Sequence, residues 1–113
     1  LELGAAGTLV AGTATSAEGV ANIDAAFASA GIQGFGLQLD VTQADALQPA
    51  LDAVAARLGE VDILVNNAGI TRDNLLLRMR DEDWDAVLTT NLKSVFQLSK
   101  LVIRPMMKAR WGR

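Results

Sequence analysis

Apolar positions along the chain come in two alternating patterns: short unbroken runs, and longer stretches where they recur at helical spacing. Thr8-Leu9-Val10-Ala11-Gly12-Thr13 is a run flanked by glycine and hydroxyl residues, which predicts a buried strand. Ser16 then caps a helix whose inner face is Val20, Ile23, Ala26, Phe27 and Ala30, stopped by Gly31. Gly34 to Val41 returns to strand, and the alternation of Phe35, Leu37 and Leu39 with Gly36 and Gln38 suits a position near a sheet edge. Thr42 and Asp45 form a capping pair for a second helix, marked by Leu47, Leu51, Val54, Ala55 and Leu58 and ended by Gly59.

Val61-Asp62-Ile63-Leu64-Val65-Asn66-Asn67-Ala68-Gly69 follows at once. Its continuous hydrophobic run predicts a parallel strand covered on both faces, ending in amides and small residues where such strands deliver a binding edge. Thr71 to Asn74 reads as a loop, and Leu75 to Met79 as a short apolar segment. Asp81 or Asp83 then caps a long helix running from about Asp83 to Arg110. Its stripe includes Trp84, Leu88, Leu92, Val95, Phe96, Val102 and Met106, with a break expected near Asn91 and a bend at Pro105. Strand alternating with helix over short connections is the signature of an α/β fold, a doubly wound parallel sheet.

Composition narrows the chemistry. With 113 residues, 50% of them hydrophobic and 20% charged, the chain has room for one packed domain, residues 1–113. A net charge of -3 with no basic cluster argues against nucleic acid and against anionic membrane as partners. The chain has no Cys and no His, so disulfides, zinc-thiolate sites, thiol catalysis and a Ser-His-Asp triad are excluded within it, and no metal site is expected. No apolar run approaches the roughly 20 residues of a membrane span, and a cytoplasmic setting is the expectation. The first residues read as the last turn of a helix and the last as a helix exit, so we expect a piece of a longer protein.

Asn66-Asn67-Ala68-Gly69, its preceding apolar run, and Thr90-Asn91-Leu92 further on resemble the short-chain dehydrogenase/reductases, and the resemblance runs through essentially the whole chain. Gly12-Thr13-Ala14-Thr15-Ser16, Leu39-Asp40-Val41, Gly69 to Leu76 and Met106-Met107-Lys108 are similar to the bacterial 3-oxoacyl-[acyl-carrier-protein] reductases of fatty-acid synthesis, with acetoacetyl-CoA reductases as close relatives. The resemblance implies a Rossmann-type sheet that is incomplete in this chain, NADPH as hydride donor, an acyl-carrier-protein thioester as substrate, and a homotetramer built on the helix carrying Val95 to Met107. It also implies a Gly-rich phosphate turn before Leu1 and the catalytic Ser, Tyr and Lys after Arg113; the chain itself has no Tyr.

Each candidate residue has a functional and a plain structural explanation. Asn67, Ala68 and Gly69 are either an ordinary turn or, by resemblance, the backbone beside the nicotinamide-side ribose. Asp40 and Val41 either cap the next helix or, by resemblance, flank the adenine, and the ends of their strand and of the central one are expected to face one crevice. Hydroxyls at Thr13 to Ser16 occupy the place where NAD-specific enzymes carry an acid that would repel a 2'-phosphate, and Thr15, which by resemblance matches the family's phosphate-contacting Thr, favours NADP unless it serves only in capping. Asn91, helix-unfriendly inside an apolar stripe, is a structural kink or, by resemblance, a member of the catalytic set that holds a water on the proton path. Arg110 is a solvated side chain or, by resemblance, a contact to the acidic carrier protein.

Topology limits the chain on its own. In the order 3-2-1-4-5-6 that the resemblance implies, the run at Thr8 and the run at Val61 would be strands 2 and 4, with the missing strand 1 expected between them. Backbone left unpaired in mid-sheet predicts that the isolated chain does not fold autonomously as a Rossmann domain, and the alternative to an enzyme is a noncatalytic fragment with an assembly role.

Overall fold

The local signals that start and stop the helix after Ser16 are obeyed. In the computed structural model, which describes all 113 residues, Ser16 is the N-cap of α2 (Ala17–Ala30), and its Oγ accepts the Gly19 N–H at 3.1 Å. Gly31 ends that helix in the left-handed region at φ 68°, where a side chain would be strained. A short opening helix, α1 (Glu2–Ala5), precedes strand β1 (Val10–Ala14). Strand β2 (Gly34–Gln38) follows α2, then α3 (Ala44–Leu58), which runs on through Pro49. The chain continues through a 3₁₀ turn (Leu76–Arg78), α4 (Asp81–Leu88), a π-helical turn (Thr89–Lys93) and α5 (Ser94–Ala109), which contains Pro105.

These elements form two compact units, Leu1–Asp40 with Asp45–Glu60, and Val41–Ala44 with Val61–Arg113. The first unit is a β1–α2–β2 crossover. The strands pair in parallel, with Val10 opposite Gly34 and Ala14 opposite Gln38. Phe27, Ile32, Phe35, Leu39 and Leu47 are its buried apolar core. Helix α2 sits so close to β2 that a Cβ on Gly36 would stand 2.8 Å from the Val20 carbonyl oxygen. The Gly36 N–H donates to Asp24 Oδ1 at 2.6 Å, so the helix also satisfies a strand donor that β1 does not use. From α3, the Arg57 guanidinium lies 3.8 Å above the Phe35 ring centre.

The second unit departs from the sequence reading where the prediction depended on neighbours. Residues 61–67 are not a strand of the sheet, which contains only β1 and β2. Their backbone is tied to Arg113 alone: the Arg113 N–H donates to the Asp62 carbonyl at 3.0 Å and the Leu64 N–H to the Arg113 carbonyl at 2.8 Å. That is a single parallel bridge around Ile63. Ile63 and Val65 are exposed instead of covered on both faces. The apolar run has strand chemistry, but burial on two faces needs paired neighbours, and this run has one residue's worth of pairing. At its end the Asn67 N–H donates to the Val65 carbonyl at 3.1 Å, a tight turn centred on Asn66.

Several boundaries also move. β2 stops at Gln38, so Asp40 and Val41 lie past the strand, although the Leu39 N–H still reaches the Ala14 carbonyl at 2.9 Å. Neither Asp81 nor Asp83 caps α4. The N-cap is Arg80, which makes no side-chain cap bond, and the three acids Asp81, Glu82 and Asp83 lie in the first turn, where they suit the helix dipole. Arg80 Nε pairs with Asp83 Oδ2 at 3.3 Å. The break expected near Asn91 is present as the π turn. The long helix ends at Ala109, one residue early, because Arg110 takes the left-handed cap conformation at φ 53°.

Candidate functional site

In the first unit, Thr15 stands exposed between the end of β1 and the capped start of α2. Its carbonyl accepts the Gln38 side-chain amide at 3.1 Å, so a residue at the end of the neighbouring strand fixes its backbone. A hydroxyl beside a helix N-terminus is chemistry that suits a phosphate, since the first helical N–H groups and the dipole both favour negative charge. Asp40 belongs to the same unit and is exposed.

The second unit contains Val41, Asn67, Ala68, Gly69, Asn91 and Arg110. The amide at position 91 and the loop after Asn67 are brought together through a residue that sequence inspection did not single out. Asn91 Oδ1 accepts the Ile70 N–H at 2.8 Å, and Asn91 Nδ2 donates to the Ile70 carbonyl at 2.9 Å. An Asn side chain carries the same donor and acceptor as a peptide, so it pairs with Ile70 as another strand would. Gly69 sits against this clamp: a Cβ there would approach Asn91 Oδ1 to 3.3 Å and meet nothing else closely. Asn67, Ala68 and Gly69 are exposed, leaving backbone without bulky side chains open to a ligand.

The π turn explains how Asn91 reaches Ile70. One extra residue in the turn changes the phase of the helix between α4 and α5. Thr90, Ser94, Leu98 and Val102 form the buried ridge. Arg110 is exposed at the end of α5 and lies apart in sequence from the clamp; the structure gives it a capping role that an Arg would not advertise. No group of three or more acidic side chains gathers to hold a metal, and no helix is long and apolar enough to cross a membrane.

With this geometry in hand, comparison with known proteins is decisive at the level of family. The short chain dehydrogenase family model matches residues 1–113. The chain belongs to that family. It is 51% identical over 113 residues to 3-oxoacyl-[acyl-carrier-protein] reductase FabG of Pseudomonas aeruginosa, a match covering 100% of this chain and 46% of that protein. It is 54% identical over 111 residues to the Escherichia coli protein of the same name, covering 98% and 44% respectively. The Salmonella typhimurium protein is 54% identical over 109 residues, covering 96% and 43%. The chain therefore spans less than half the length of the curated relatives it matches. Membership accounts for the α/β alternation: a parallel β1–α2–β2 unit followed by a further strand-like run and helix is an incomplete Rossmann fold.

Proposed function

We propose that the protein carrying this chain is an NADPH-dependent reductase that converts 3-oxoacyl thioesters on acyl carrier protein to 3-hydroxyacyl thioesters in fatty-acid synthesis, with residues 1–113 as part of its dinucleotide-binding domain. The single observation that carries this reading is the Asn91–Ile70 clamp behind an open Asn67-Ala68-Gly69 tip, in a chain similar throughout to reductases of that name. The nicotinamide, when bound, supplies the hydride. Gly69 and its neighbours form the backbone wall at its ribose, while Asp40 and Val41 flank the adenine. Thr15, beside the α2 N-terminus, takes the 2'-phosphate, with hydroxyls at Thr13, Thr15 and Ser16 where NAD-specific enzymes carry an acid. Asn91 holds the site-side end of the helix against Ile70 and carries a water toward the proton donor. Arg110 meets the acidic carrier protein.

A homotetramer and a cytoplasmic setting belong to the same proposal. Leu92, Phe96, Ile103 and Met107 are all more than half exposed on the π turn and α5, an apolar stripe of the kind that subunits cover. The same stripe supports the competing view of an assembly role without catalysis. Purified complete gene product, incubated with NADPH and an acetoacetyl thioester of carrier protein or of CoA, separates the readings. NADPH consumption faster with carrier protein is the expected result; consumption only with CoA favours an acetoacetyl-CoA reductase, and none with either overturns the reductase reading.

A further inference from the structure

The buried ridge of α5 contains a serine where the rest of the ridge along that helix is apolar, and this serine sits at the junction with the π turn. In a regular α-helix the Ser94 N–H would donate to the carbonyl four residues back, that of Thr90. Here it donates to the Thr89 carbonyl, five residues back. The abandoned Thr90 carbonyl is taken instead by the Ser94 hydroxyl, at 2.5 Å. Both residues are buried, Ser94 at 3% exposure and Thr90 at 8%, so water cannot readily replace that donor.

We infer that Ser94 is a positioning residue: its hydroxyl holds the π turn by satisfying the carbonyl the turn frees, and so fixes the helix phase at which Asn91 meets Ile70. A serine that back-bonds within a helix is common, and by itself marks only local bending. What distinguishes Ser94 is that one residue makes both bonds. Its N–H leaves the Thr90 carbonyl and its side chain returns to it. Without the hydroxyl, the least costly repair is for the N–H to resume the α-type bond to Thr90. That removes the extra residue from the turn, rotates Asn91, and breaks the two bonds to Ile70.

The test is made in the complete gene product with Ser94→Ala, Ser94→Thr and Ser94→Cys. Amide hydrogen exchange at Ile70 reads the clamp directly and does not depend on the enzymatic reading. Ser94→Ala is expected to speed that exchange by about tenfold, the effect of losing a buried hydrogen bond, with Ser94→Thr returning it toward wild type. The kinetic arm rests on the reductase reading: Ser94→Ala lowers kcat while KM for NADPH stays within about twofold, and Ser94→Thr restores kcat. Unchanged Ile70 exchange in Ser94→Ala overturns the inference, as does faster exchange that Ser94→Thr fails to correct. Should Ser94→Ala not fold, Ser94→Cys retains the size with a weaker donor. Faster Ile70 exchange in it supports the inference, and exchange equal to wild type overturns it. Absence of wild-type turnover defeats the reductase reading alone, because the exchange arm then still decides the role of Ser94.

Discussion

Replacing Asn91 by Ala removes both arms of the clamp on Ile70, at 2.8 and 2.9 Å, and the size of the effect follows from where those bonds lie. A net hydrogen bond contributes about 0.5–1.5 kcal/mol, and because Asn91 is exposed, water can take over part of each. The pair is then worth about 1–2 kcal/mol, which speeds opening of the Ile70 amide by roughly 5–30-fold. Hydrogen exchange resolved at Ile70 measures this without reference to activity. Asn91→Asp sharpens the result. Its carboxylate still accepts the Ile70 N–H but faces the Ile70 carbonyl with no donor, so exchange at Ile70 is expected between wild type and Asn91→Ala. Ile70 exchange in Asn91→Ala equal to wild type would refute the claim that this side chain holds the loop.

The remaining predictions test other parts of the structure. Gly36→Ala places a Cβ 2.8 Å from the Val20 carbonyl, so α2 must move off the sheet at a cost of about 1–3 kcal/mol. A thermal scan of the complete gene product should show Tm lowered by a few degrees, roughly 2–4 °C per kcal/mol for 150–250 residues, and an unchanged Tm contradicts the packing. Thr15→Asp puts a carboxylate where the proposed 2'-phosphate lies, so KM for NADPH should rise about tenfold or more while KM for NADH changes little; equal effects on both cofactors count against the Thr15 assignment. Phe96→Asp buries a charge if the exposed stripe on α5 is a subunit contact, so light scattering should report a smaller assembly, and an unaltered mass removes Phe96 from any interface.

Features that depend on a few adjacent residues were legible in the sequence, and features that depend on pairing were not. Ser16 and Gly31 bracket α2 because a cap needs only a hydroxyl three residues before an amide and a left-handed stop. Val61 to Asn67 has the apolar content of a parallel strand, yet being a strand is a relation between two stretches of backbone. With only Arg113 beside it, the run stays extended and exposed. Asn91 was conspicuous because an amide in an apolar stripe must find partners, but Ile70 lies 21 residues away and nothing in its own side chain marks it. Arg110 gave no signal of its left-handed conformation, which Arg disfavours. It is held there as the cap N–H bonds to Met106 and Met107 are made and the Trp111 N–H returns to the Met106 carbonyl at 3.1 Å.

The loop Asn67-Ala68-Gly69 thus acquires a different support from the one its sequence suggests. A strand end was expected to hold it, but the strand-like run before it is paired only through Arg113 and turns at Asn66. The direct side-chain anchor after the loop is Asn91, presented by the π turn. Changes of helix phase between Thr89 and Ser94 therefore act on the loop even though none of those residues but Asn91 bonds to Ile70. Substitutions that favour a regular α-helix through this segment are expected to stabilise the helix locally while loosening the loop. Circular dichroism showing unchanged or higher helicity, together with faster Ile70 exchange, is the combination this coupling requires; slower exchange alongside higher helicity would exclude it.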